Sequence, residues 1–321
     1  MIRAYSDSDR EALLTLWNTK GVQMGYAPLS ASEFDRLFLK HPDFSADHTF
    51  VLEQQGSVLG FVSGCTGNHI PKGDVRGYLS CLILSDGADT PEHTRGLLEA
   101  LEEAFRQDGR QYCAVTFFNP IHLPWILPGT DGHQHNNTPG IAVDLPLYSR
   151  MLAQGYRETT REIAMHLDLS EFAVPDRIEE KAAHMAEAGY TVTCYDPEKH
   201  RGLSEMLQAL GNPLWMEEIP AAAAAGQEVL VGLCGDTAAG FTGPIFPEPS
   251  GRGYFSGIGV APRYEHHGLG TLLFYRLCAR EKEAGARYMS LFTGETNPAA
   301  RIYREAGFTG LRTFAVMIKE L

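Results

Sequence analysis

The 321-residue chain carries 27 Lys and Arg against 40 Asp and Glu, a formal charge of −13, with 44% hydrophobic and 21% charged residues. These are values of a globular chain long enough for two domains, and the acidic balance argues against nonspecific nucleic-acid binding. No run of about 18 apolar residues predicts a membrane span, the first residues lack the apolar core of a signal peptide, and six cysteines without CxxC spacing suit buried free thiols in a reducing, cytoplasmic setting.

Ile2–Tyr5 predicts a short strand. Ser6-Asp7-Ser8-Asp9 then caps a helix that reaches about Asn18, with Leu13, Leu14 and Trp17 on one face. A second helix, opened by Ser30 or Ser32, runs to Lys40. Residues 49–53 and 57–63 flank Gln54-Gln55-Gly56 and read as a hairpin. Gly77–Leu84 is a buried strand, Pro91–Gln107 a helix, Tyr112–Phe118 a strand, and Tyr156–Leu169 one or two strands more. Asn119 to Ala142 is long for a connection without structure, and Trp125, Ile126 and Leu127 argue for order within it. There His133 and His135 flank Gln134, after Asp131. Imidazole and carboxylate suit zinc, but no third and fourth ligand stands out, so no metal site is predicted. A polar loop at a domain interface, or one bordering the site of an acceptor, fits better.

Asp176–Gly189 reads as a linker helix. Residues 191–195 form a strand, Glu198–Leu210 and Pro213–Ala225 two helices, and residues 227–234 and 238–246 a hairpin across Gly235-Asp236. Gly253–Val260 is the next strand. It feeds Glu265-His266-His267-Gly268-Leu269-Gly270 and then a helix with Leu269, Leu272, Leu273 and Leu277 at i, i+3, i+4 and i+8. A strand, a glycine loop and a helix N-terminus in this order suit an anion, because the first helical turn has free N–H groups and the positive end of the dipole. Another strand, Tyr288–Thr293, leads to Asn297-Pro298, a short helix with Tyr303, and Gly307-Phe308. Residues 314–321 form the last strand.

The two ordered motifs, Gly268/Gly270 after a strand and Tyr303…Gly307-Phe308 after the next, resemble the GNAT family of acetyltransferases. The family carries Arg/Gln-x-x-Gly-x-Gly/Ala in the first motif; the glycines match, and Glu265 replaces the Arg/Gln. Asn297 stands one residue nearer Tyr303 than the family's Asn. The element order of residues 1–170 matches the same fold, Gly155-Tyr156 answering Gly307-Phe308 and Gly96 answering Gly268. The resemblance therefore implies an α+β chain, a mixed α/β sheet in a tandem duplicated GNAT fold similar in architecture to mycothiol synthase. Its parts are an N-terminal copy (1–170), a linker helix (171–189) and a C-terminal copy (190–321). The first copy has Leu98 at the last loop position and Met151 where the second has Tyr303, and reads as degenerate; Tyr148 lies one turn earlier.

The resemblance further implies acetyl-CoA as cosubstrate and a small-molecule amine as acceptor, in a monomer or homodimer. Ile258, Gly259 and Val260 would meet the pantetheine arm and the tetrahedral oxyanion. His266, His267, Gly268, Leu269, Gly270, Thr271 and Asn297 would hold the cofactor, and Tyr303 would protonate the departing thiolate. Family members often place a basic carboxylate on the strand that here carries Tyr254 and Ser256. Glu217, Glu218, Glu295 or a water chain stay open as the base. A non-catalytic acyl-CoA-binding protein and a protein-lysine acyltransferase are the alternatives.

Overall fold

Gln55 and Gly56 both adopt left-handed backbone (φ 51° and 79°), the two-residue turn whose twist matches that of paired strands. It joins the second and third strands of a sheet ordered β1 (Ile2–Ala4), β2 (Thr49–Gln54), β3 (Ser57–Cys65), β4 (Arg76–Leu84) and β5 (Tyr112–Val115). The computed structural model describes residues 1–67, 72–116, 119–127, 130, 134–135 and 137–321. Contacts divide the chain into two compact units, Met1–Ala164 with Leu311–Leu321, and Met165–Gly310.

In the first unit β1 to β4 are antiparallel neighbours, whereas β4 and β5 are parallel and pair only through residues 76–78 and 112–114. The first helical run is longer than its sequence pattern predicted. It continues from α1 (Arg10–Leu16) through wide turns at Trp17–Gly21 as far as Met24. Trp17 is buried there, and its indole N–H donates to the Ala27 carbonyl at 2.9 Å, which anchors the extra turns. Ser30 caps α2 (Ala31–Phe34) in a reciprocal box with Glu33. Trp17, Phe34, Phe38, Phe61 and Ile83 fill one face of the sheet. The other face packs Leu97, Leu101 and Phe105 of α3 (Pro91–Gln107) and Met151 of α4 (Pro146–Ala153). Strand β6 (Arg157–Asp168) closes this part of the chain. Within the long loop Trp125 pairs with His135, while His133 and Asp131 lie outside the described residues.

The second unit opens with α5 (Asp176–Glu187) and a four-stranded antiparallel sheet. Its order is β7 (Tyr190–Cys194), β8 (Glu228–Cys234), β9 (Thr237–Ile245) and β10 (Ile258–Val260). Helix α6 (Leu203–Leu210) begins five residues later than expected. Asp196 ties the chain into a turn first, accepting from the Glu198 and His200 amides, and Gly202 (φ 74°) then redirects it. Helix α7 (Pro213–Ala224) is capped by Asn212. Strand β10 is shorter than the predicted Gly253–Val260 because residues 254–257 leave the ladder to meet α7, as described below. Helix α8 (Leu269–Glu283) buries Leu269, Leu272, Leu273 and Leu277 completely or nearly so, each contributing about 2 kcal/mol of apolar burial. Then follow β11 (Tyr288–Gly294) and α9 (Ala299–Glu305).

The last strand, β12 (Thr309–Glu320), is built into the first unit over most of its length. It lies between β5 and β6, with Met317 opposite Val115 and Glu320 opposite Tyr112. Ala315 and Met317 enter one core face and Ile318 the other. A strand covered on both faces needs a continuous apolar run, and Phe314–Ile318 supplies one.

Candidate active site

In the second unit the segment that leads into β10 runs parallel to the start of β11. An isolated bridge joins Arg252 to Tyr288, and the Gly253 amide donates to the Tyr288 carbonyl at 2.7 Å. Beyond this point, among the described residues, β10 bonds to β9 alone and its other edge is free. The register fixes which groups lie on that edge. The Ala261 N–H donates to Ala239 O at 2.8 Å. Antiparallel pairs alternate, so Gly259 also faces β9 while the N–H groups of Ile258 and Val260 point away from it, toward the gap.

At the end of β10 a 3₁₀ turn (Pro262–Tyr264) leads into Glu265–Gly268. His266 sits in left-handed backbone (φ 65°), uncommon for a residue with a side chain. Gly268 (φ 89°) starts α8, and no side chain caps that end. The first helical bond runs from Leu272 N–H to Gly268 O, so the amides of residues 269–271 precede it. Helix end, loop and α9 enclose an open cleft of about 680 Å³. Val260, all six residues His266 to Thr271, and Asn297 line it. Asn297 also accepts from the Ala299 amide at 2.9 Å, just ahead of α9. The ring of His267 stacks on Tyr190 with centroids 4.5 Å apart, whereas His266 is exposed.

Tyr303 is not on the cleft wall. It is buried in α9 with its ring 4.6 Å from that of Phe274 and 6.2 Å from that of Phe308. Burial pushes its phenol up to about 12, which keeps the proton on at neutral pH. Gly307 (φ 102°) ends α9 with its N–H on Arg304 O.

Among the three carboxylates left open by the sequence, Glu218 is the one held beside the strand. Tyr254 donates its hydroxyl to one carboxylate oxygen at 2.7 Å and Ser256 donates to the other. Both hydroxyls come from the stretch that leaves the ladder just before β10. Trp215, one turn earlier on α7, donates to Ser256 O at 3.2 Å and packs so closely on Gly257 that a Cβ there would lie 2.4 Å from its ring. Burial, and then the Glu218 carboxylate, push the Tyr254 phenol up to about 12.

Two cations on this cleft were not singled out from the sequence. Lys181 of α5 and Arg301 of α9 both line it. Arg301 falls inside the Asn-Pro-Ala-Ala-Arg run and was available to a local reading. Lys181 was not, since its place depends on how α5 packs on α8.

The corresponding place in the first unit is built differently. The N-terminus of α3 is capped by Thr90, whose Oγ1 accepts the His93 amide at 3.2 Å. Arg150 pairs with Asp89 and Lys20 with Asp86 across a cavity of about 240 Å³. Met151 is fully buried, and the Tyr148 hydroxyl is bound to Glu158.

These features define a mixed α/β chain in which one acyltransferase-type fold occurs twice. Residues 194–308 match the model of the acetyltransferase (GNAT) family. Three solved structures similar to it are each 16% identical in sequence. One is a GCN5-related glucosamine N-acetyltransferase region of a fungal multi-domain GH3 β-N-acetylglucosaminidase (TM-score 0.66), matched over 99% of this chain and 38% of that one. The second is a GCN5-related N-acetyltransferase from Sphaerobacter thermophilus (TM-score 0.61, 100% and 95%). The third is a tandem GNAT protein from the clavulanic acid biosynthesis pathway (TM-score 0.55, 100% and 98%). No curated protein matches the sequence. No helix among the described residues is long and apolar enough to cross a membrane.

Proposed function

We propose that the second unit transfers an acetyl group from acetyl-CoA to the amine of a small molecule in the cytoplasm, and that the first unit is a degenerate copy without a cosubstrate site. The observation that carries this reading is the uncapped N-terminus of α8 opening on the same cleft as the free edge of β10. Loop and helix amides at residues 266–271 suit the CoA diphosphate, and the edge of β10 suits the amide-rich pantetheine arm. Bound there, acetyl-CoA supplies an activated acetyl thioester. The N–H groups of Ile258 and Val260 meet the acetyl carbonyl oxygen where negative charge grows. Glu218, directly or through Ser256, takes the proton that the incoming ammonium must lose. Tyr303, set behind the cleft wall on the helix whose Ala299 and Ile302 line it, is the residue assigned to give its proton to the sulfur that leaves.

The capped, ion-paired end of α3 and the buried Met151 support degeneracy of the first unit. A second reading, a protein that binds acyl-CoA without turnover, draws support from one residue, Glu265, whose carboxylate shares the cleft with the phosphate loop. Calorimetric titration of acetyl-CoA into the wild type and Gly268→Glu tests the cleft. One site per chain, lost in the variant, is expected. Two sites would refute degeneracy, and binding without turnover on a broad amine panel would favour the second reading.

A further inference from the structure

Lys181 occupies a place that is electrostatically adverse for a lysine. A Cβ built on Gly268 would lie 2.4 Å from Lys181 Cε and 2.9 Å from its Nζ, so the ammonium rests against the backbone that opens α8. That is the positive end of the helix dipole, where a cation is repelled and an anion attracted. Among the described residues Lys181 has no carboxylate within ion-pair distance. Glu179 holds Arg276 through two bonds of 2.6 and 2.7 Å, and Arg177 donates to the Tyr275 hydroxyl at 2.9 Å. Ile178 and Met185 are buried in the same seam. Helix α5 is thus clamped to α8, and its unpaired cation is carried to the rim of the cleft.

Resting on the reading of this cleft as a CoA site, we infer that Lys181 is a phosphate-binding residue. It adds a charged contact to the CoA diphosphate that the loop amides cradle. It also accounts for how a chain of net charge −13 with Glu265 in the loop attracts a polyanion. Lys181 brings an unpaired positive charge to a cleft where Arg301, itself 3.7 Å from Glu305, also lies. The inference gives α5, outside the matched family segment, a share in cosubstrate affinity.

The experiment is calorimetric titration of acetyl-CoA and acetyl-dephospho-CoA into wild type, Lys181→Met, Lys181→Arg and Gly268→Glu. Methionine keeps the apolar stem and removes the charge. Lys181→Met is expected to bind acetyl-CoA about tenfold more weakly, the size of one charge-assisted contact at a partly exposed site. Lys181→Arg should stay within about threefold of wild type, and the loss should persist with the dephospho ligand. Thermal unfolding of Lys181→Met should be unchanged or raised, since the adverse charge is gone. A Lys181→Met affinity equal to wild type while Gly268→Glu fails to bind would overturn the role of Lys181 and leave the cleft assignment standing. A loss confined to the 3′-phosphorylated ligand would overturn the diphosphate contact. Absence of binding by the wild type would overturn both.

Discussion

The two glycines at the start of α8, Gly268 and Gly270, differ in what they are for, and alanine at each should tell them apart. Gly268 has φ 89°, and an added Cβ would press on Lys181 Cε at 2.4 Å. The left-handed backbone alone costs an L-residue about 1 kcal/mol. Moving the end of a flexible lysine adds up to ~1 kcal/mol, so Gly268→Ala should lose about 1–2 kcal/mol. Gly270 lies within the first turn of α8, and its Cβ would find only Val260 Cγ2, at 3.8 Å. Helix propensity then favours alanine by ~0.5–1 kcal/mol. The two variants should differ by about 2 kcal/mol in opposite directions from wild type, a gap that urea unfolding resolves as a shift of midpoint at constant slope. Acetyl-CoA affinity should fall in Gly268→Ala and stay within about threefold in Gly270→Ala. Equal stabilities, or a Gly270→Ala less stable than Gly268→Ala, would refute the assignment of the glycine requirement to backbone conformation and the lysine arm.

Tyr303→Phe should lower turnover by about 10²-fold or more with acetyl-CoA affinity unchanged; full activity would reduce Tyr303 to a packing residue. Glu218→Gln should also lower turnover at unchanged cosubstrate affinity, as measured by single-turnover acetyl transfer once an acceptor is in hand, and an unaltered rate would return the base to Glu217, Glu295 or water. Glu281 is fully buried in α8, with one oxygen accepting the Phe246 amide and the other without a partner among the described residues. Burial pushes its carboxyl up to about 8. Its folded value lies above its unfolded one, so the folded state keeps the proton longer, and stability falls as pH rises from about 4.5 to 8. Glu281→Gln should flatten that slope and recover roughly 2–4 kcal/mol at pH 8 relative to pH 4.5; an unchanged pH profile of the urea midpoint would sink the idea.

Much of this architecture was legible because local patterns carried it. Leucines at helical spacing placed α8, Pro91 marked the start of α3, and Gln55-Gly56 marked the hairpin turn. Loop and helix residues from His266 to Thr271, with Asn297, converge on one cleft because a strand, a loop and a helix end lie next to each other in sequence. Features set by distant packing were not legible. Lys181 reaches Gly268 only through the clamp between α5 and α8. Glu218 is singled out only because residues 254–257 bend out of the sheet toward α7, which a strand-like composition concealed. Asp196 and Gly202 delayed α6 by turn chemistry that competes with a helical pattern.

The placement of β12 has a consequence for synthesis. Strand β5 pairs with a strand that the ribosome makes much later, since the whole of residues 165–310 intervenes. At roughly 5–20 residues per second that delay is on the order of 10–30 s. During it the first unit exposes an unpaired strand edge of the kind that invites pairing with other chains. A nascent chain arrested before Leu311 would leave the first unit incomplete, although every residue of 1–164 had already been made.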